Sequence, residues 1–148
     1  MKNLNVSSEK KINVRKILVH KLIGLLKKEL NFSISQLQIV FVNADEIHNI
    51  NKEYLNHDYS TDIITFNYSE EKDKFDGEIY ISVEDAAENA QRFDVTVNNE
   101  IIRLIIHGIL HLLGYDDIDA KDKRVMKKLE NSLVEKLKNF DKKKIIIL

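Results

Sequence analysis

His107 and His111 stand four residues apart in the string His107-Gly-Ile-Leu-His111-Leu-Leu-Gly114-Tyr-Asp116-Asp117, at the end of a nearly unbroken apolar run that begins at Ile101. On a helix that spacing is about one turn, so the two imidazoles project side by side, the spacing of a metal-binding pair. Gly114 can adopt the left-handed conformation that ends helices, and the reversal it permits swings Asp116 or Asp117 back toward the imidazoles. Two histidines and a carboxylate make a three-ligand site with a fourth position open.

A histidine on an apolar face is more often a core residue bonded to backbone than a ligand. Two at helical spacing, followed by a glycine turn and adjacent acids, fit that reading less well, because buried imidazole without a partner is costly. Two of the chain's four glycines, Gly108 and Gly114, fall inside this motif, one suited to close approach and the other to the turn. Gly108 also occupies the position where zinc peptidases of the H-E-x-x-H type carry their general-base Glu, which makes a peptidase a poor reading.

The same residues carry a family likeness. HGILHLLGYDD resembles the signature H-G-x-L-H-L-x-G-Y-D-H of the YbeY family of bacterial metal-dependent endoribonucleases, from His107 through Asp116. It departs at the last position, where the family usually has a third His and this chain has Asp117, and carboxylate oxygen is an acceptable zinc donor. A second segment is similar through Asn51, Tyr54, Asp58, Thr61, Asp62 and Phe66. Within it Leu55 stands where the family has an Arg thought to contact substrate or assist catalysis, and Leu offers a phosphate neither charge nor donors. His57 is the nearest replacement, against the competing reading of a surface-loop histidine. Gly77–Ser82 resembles the family's Gly-Asp-Ile-x-Ile-Ser, with Glu78 for Asp.

The resemblance implies a zinc-dependent, single-strand-specific endoribonuclease acting in 16S rRNA 3′-end maturation and late ribosome quality control. One Zn²⁺ per chain is then expected on His107, His111 and Asp117, with Asp116 behind them orienting a ligand or water, and substrate contacts from His57, Thr61 and Asp62. Partners would be single-stranded RNA, ribosomal RNA and the ribosome. Two other classes compete: a non-catalytic ribosome-associated protein with a structural metal, raised by Leu55, and a metal-dependent hydrolase of a small substrate.

The elements that must hold these residues follow from periodicity. A length of 148 residues, 43% hydrophobic and 32% charged, suits one soluble domain over 1–148. With no cysteine, imidazole and carboxylate are the strong metal ligands left. No apolar run reaches a membrane span of about 18 residues, and the start lacks the apolar core of a signal peptide, so a cytoplasmic protein is expected. Charge is uneven: residues 1–40 carry eight Lys/Arg against two acids, 41–100 four against fifteen, and 119–148 ten against five. Basic ends could form a footprint for RNA or could be solvated helix faces.

A strand is expected around Leu4–Val6, and an amphipathic helix over 12–30 with Ile12, Val19, Leu22, Leu26 and Leu30 inward. Leu37–Val42 reads as a central strand, and Asn43-Ala-Asp-Glu46 as the start of a helix burying Ile47, Ile50 and Tyr54. A polar loop leads to a strand ending near Phe66. After a charged connection at 72–76, Gly77–Val83 alternates as a strand, and Ser82 caps a helix with Ala86, Ala87, Ala90 and Phe93 on its packing side. The motif helix starts near Thr96–Asn99 and is apolar nearly all round, hence buried. Residues 120–138 form a second amphipathic helix with Val125, Met126, Leu129, Leu133 and Leu137 on one face. The tail after Asp141 can dock as a strand or fray. The fold class is α+β: a small mixed sheet of three to four strands and about five helices, backing the buried helix with the HxxxH motif.

Overall fold

In the computed structural model, which describes residues 2–59 and 61–147, the chain runs β1 (Leu4–Ser8), β2 (Asn13–Val14), α1 (Lys16–Leu30), β3 (Ser33–Val42) and α2 (Ala44–Leu55). It continues through β4 (Ile63–Asn67), β5 (Lys74–Ser82), α3 (Val83–Phe93), α4 (Val97–Leu112), α5 (Ala120–Lys136) and β6 (Ile146–Ile147). The main sheet has the order β1-β3-β5-β4, with β1, β3 and β5 parallel and β4 antiparallel to β5. This is the expected α+β class, a four-stranded mixed sheet with five α-helices among the described residues.

The period of two along the strands divides the sheet into two unequal faces. Leu37, Ile39, Phe41, Phe75, Ile79 and Ile81 point to one side, where they join α1 and α4 in the main core. The opposite side is thinner: Val42 and Ile64 meet Ile47 and Ile50 of α2, with Val40, Phe66 and Tyr80 only partly covered. The α4 helix, capped by the Thr96 hydroxyl accepting from the Asn99 amide at 3.0 Å, is buried nearly all round. A Cβ at Gly108 would lie 3.0–3.2 Å from Ile79 and Ile63 side-chain atoms, so the missing side chain is what lets α4 sit this close to β4 and β5.

Several boundaries differ from the periodicity reading. The first helix begins at Lys16 rather than residue 12, because Asn13 and Val14 pair antiparallel with Ile147 and Ile146. Ile12 therefore packs on the core from outside the helix. The central strand extends back to Ser33, and β5 starts at Lys74, inside the segment read as a connection. Tyr54 is 66% exposed rather than buried, and Phe93 and Val125 also face outward. In each helix the apolar stripe is narrower than the run of apolar residues suggested.

The tail docks. Ile145 and Ile146 are buried, and Asn98 at the start of α4 holds the segment before them. Its side-chain amide donates to the Asp141 and Lys143 carbonyls at 3.1 and 2.9 Å, and its Oδ1 accepts from the Ile145 amide at 2.7 Å.

Candidate metal centre

The end of α4 is a Schellman turn. The Tyr115 amide donates to the Leu110 carbonyl and the Gly114 amide to that of His111, both at 3.0 Å, with Gly114 at φ 101°. The chain then reverses, and Asp116 fixes the reversal: its Oδ1 accepts from the amides of Asp117 at 2.7 Å and Ile118 at 3.0 Å. Of the two adjacent acids, Asp116 is thus occupied with backbone. Asp117 carries its carboxylate to the imidazoles.

Asp117 Oδ2 lies 3.8 Å from His107 Nε2 and 3.7 Å from His111 Nε2. The three residues offer donor atoms all within 4.8 Å of one another, and the rings meet edge to face with centroids 4.8 Å apart. Bonds of about 2.0–2.2 Å in a tetrahedron place ligand atoms about 3.3–3.6 Å apart. The two measured separations exceed that by a few tenths of an ångström, a gap that side-chain torsions close. Two imidazoles and one carboxylate are also a donor set suited to zinc.

The other nitrogen of His107 is fixed from α5. Its Nδ1 lies 2.7 Å from Glu130 Oε1. An ionised carboxylate can only accept, so Nδ1 carries the proton and the Nε2 lone pair is left facing His111 and Asp117. Glu130 also accepts from Arg103 at 2.6 Å and from Lys127 at 3.3 Å. Burial alone would push the Glu130 carboxyl up, but the hydrogen bonds from His107 and Arg103, with the charges of His107 and Lys127, outweigh it and hold it at about 2. His111 is shifted down by burial first and by the charge of His107 second, which favours the neutral imidazole that ligates metals.

A cavity of about 870 Å³ opens beside this cluster, with His107, Asp117, Glu130 and Arg103 in its wall. On the α3 side, Asn89 donates to Asp62 at 2.9 Å and to Glu100 at 3.3 Å. Burial pushes the Glu100 carboxyl up, with Asp62 and Glu130 adding to the rise against Asn89 and Arg103. On the α5 side the wall carries Lys123, Arg124 and Lys127.

The other residues singled out by sequence divide. Asp62 lines the cavity, whereas Thr61 turns its hydroxyl to the Ile63 carbonyl at 3.4 Å. His57 is exposed and stacks on Tyr59, its Nδ1 3.0 Å from the Tyr59 hydroxyl; neither it nor Leu55, at the end of α2, lines the cavity. Buried Asn51 organises the intervening loop, donating to the Tyr59 carbonyl at 2.9 Å and accepting the His57 amide on its own carbonyl. His48 pairs with Asp58 at 2.9 Å, and the hydrogen bond lowers the Asp58 carboxyl below its usual range.

Sequence reasoning missed Glu130, Arg103, Asn89 and Glu100. A signal for the first was present: Glu130 falls four residues after Met126 and three before Leu133, both buried, and so sits on the apolar face of α5. A carboxylate there needs a partner across the interface.

Residues 3–138 match the family model described as Endoribonuclease YbeY. A relative from Cytophaga hutchinsonii, named Endoribonuclease YbeY, is 42% identical over 108 residues, 73% of this chain and 75% of its own. Another of that name, from Chlorobaculum tepidum, is 33% identical over 136 residues, 92% of this chain and 98% of its own. The solution structure of a protein from Thermotoga maritima superposes with a TM-score of 0.64 at 31% identity, covering 89% of this chain and 87% of that one.

Proposed function

The chain belongs to the endoribonuclease YbeY family, and from that premise we propose that it is a zinc-dependent endoribonuclease hydrolysing phosphodiester bonds of single-stranded RNA. The observation that carries the proposal is the convergence of His107, His111 and Asp117 beside a cavity that His107 and Asp117 line and whose α5 side is basic. We place one zinc on these three residues. Bound there, it supplies Lewis acidity toward a phosphate oxygen and toward water.

The chain's own groups divide the remaining work. Glu130 fixes the tautomer and ring plane of His107, and Asp116 holds the turn that delivers Asp117. Lys123, Arg124 and Lys127 supply positive charge along one wall, where the RNA backbone needs it. Asp62, on the opposite wall, is placed to accept a hydrogen bond from a sugar hydroxyl or base edge, with Thr61 shaping its approach. His57 would contact RNA beyond the cavity, beside Tyr59. The family likeness further supports 16S rRNA 3′-end maturation and late ribosome quality control, in the cytoplasm, by one domain spanning the chain. No helix among the described residues is long and apolar enough to cross a membrane.

Leu55, in place of an Arg, favours a second reading in which the metal is structural and the protein binds ribosomes without cutting RNA. The test is to strip the protein with chelator, reload it with zinc, and assay single-stranded, duplex and precursor ribosomal RNA. Cleavage of single strands should vanish on stripping, return with zinc and be lost in His107→Ala. Full zinc occupancy with ribosome binding and no cleavage of RNA or of small esters would favour the second reading.

A further inference from the structure

Phe93 is 61% exposed at the end of α3, and Asp94 after it takes a left-handed conformation (φ 54°) that turns the chain so that Val95 is exposed as well. Both line the cavity that holds His107 and Asp117. The Phe93 ring stacks on no other ring among the described residues. A lone exposed apolar residue needs no explanation, but an unpartnered aromatic on the wall of the cavity beside the metal centre is placed for an aromatic ligand.

The opposite wall says which ligand. Lys123 and Arg124 make no ion pair among the described residues, whereas Lys127 is shared with Glu130. The acids of the cavity are largely engaged: Glu130 by His107 and Arg103, Asp62 and Glu100 by Asn89. Cations without an ion pair and an aromatic ring without a stacking partner thus line one space of about 870 Å³. Flat apolar faces alternating with anionic links are the chemistry of an unpaired nucleic-acid strand.

We infer that this cavity is a nucleotide subsite in which one base of single-stranded RNA stacks on Phe93, backed by Val95, while the phosphates on either side bind Lys123 and Arg124. It rests on the proposed ribonuclease reading and adds where the strand lies relative to the metal. It also gives a physical origin for single-strand preference. A base inside a duplex is stacked on both sides and has no free face to offer the ring, whereas an unpaired base can be splayed onto it.

The test uses zinc-loaded protein and oligoribonucleotides carrying 2-aminopurine, whose fluorescence is quenched by stacking, mixed rapidly so that binding is read before cleavage. One position in the strand should be quenched by the native protein and by Phe93→Trp, and the quench should be lost in Phe93→Ala, with affinity falling about 10-fold. An abasic site at that position should weaken native binding by a similar factor and cost Phe93→Ala nothing further, the signature of one shared contact. Lys123→Gln with Arg124→Gln should instead flatten the salt dependence for all sequences alike. Native protein that cleaves RNA while quench and affinity survive Phe93→Ala would overturn the subsite and leave the ribonuclease reading standing. Quench that depends on Phe93 without cleavage by the native protein would do the reverse.

Discussion

Glu130 and Glu78 each collect hydrogen bonds from more than one side chain, and the two carboxylates act on their partners in opposite ways. Glu130, buried between α4 and α5, is pushed up by burial, but hydrogen bonds from the His107 imidazole and the Arg103 guanidinium, with the charge of Lys127 beside them, outweigh that and hold it at about 2. Glu78, half-buried on β5 at the thin face of the sheet, accepts from the hydroxyls of Tyr68 at 2.5 Å and Tyr80 at 2.8 Å. Those donors are neutral, and it is the phenols that move. Tyr68 is raised to about 12 chiefly by its bond to Glu78, and Tyr80 to about 12 chiefly by burial and then by the same carboxylate. A carboxylate among cations is thereby kept charged and directs a ligand lone pair; one among phenols keeps the phenols protonated.

The comparison can be broken first at Glu130. Glu130→Gln keeps an acceptor for His107 but leaves the Arg103 guanidinium, only 24% exposed, without its charge partner. Stability measured by urea denaturation should fall by about 3 kcal/mol. Zinc affinity from a competing chelator should fall about 10- to 100-fold, because the imidazole loses its anionic anchor. Wild-type zinc affinity in this variant would show that Glu130 orients nothing.

Removing the other partner should do less. In Arg103→Met, Glu130 still accepts from His107 and Lys127, so the carboxylate stays paired. The expected loss is about 1–2 kcal/mol, with zinc affinity nearly unchanged. Equal losses of zinc affinity in the two variants would mean that the network acts as one packed unit rather than through His107.

At Glu78 the effects should be small in energy and visible in titration. Glu78→Gln should bring two tyrosines down from about 12 toward the ordinary value near 10, followed by phenolate absorbance. The sign for stability follows from linkage. The folded state holds these protons to a higher pH than the unfolded chain, so the contribution is complete below about pH 10 and is lost as pH rises toward 12. Native protein should lose more stability across that window than Glu78→Gln does. Identical slopes would show the phenols free in solution, as the high exposure of Tyr68 makes the smaller contributor of the pair.

The two regions also differ in how far the sequence revealed them. The His107, His111 and Asp117 cluster is legible because it is local: the two histidines are one turn apart, and Gly114 returns Asp117 within a few residues. Even the choice between adjacent acids waited on which one the turn's own amides consumed. Glu130 and Arg103 approach from separate helices, and no helical spacing links residues 27 apart. The start of α1 was misplaced for the same reason, since Asn13 pairs with a strand at the far side of the sequence. Tyr54 and Phe93 satisfy helical periodicity yet stay 66% and 61% exposed, and a pattern of residue types cannot register how little covers them there.

Asn98 gives the chain an order of events. Its four bonds to residues 141–145, and the pairing of Asn13 with Ile147, close contacts across about 45 and about 130 residues. In chain order β2 and Asn98 precede their partners by those lengths, so neither contact can form until residues 141–147 have been made. His107, His111 and Asp117 thus leave the ribosome ahead of the residues that fasten the start of the helix carrying the two histidines.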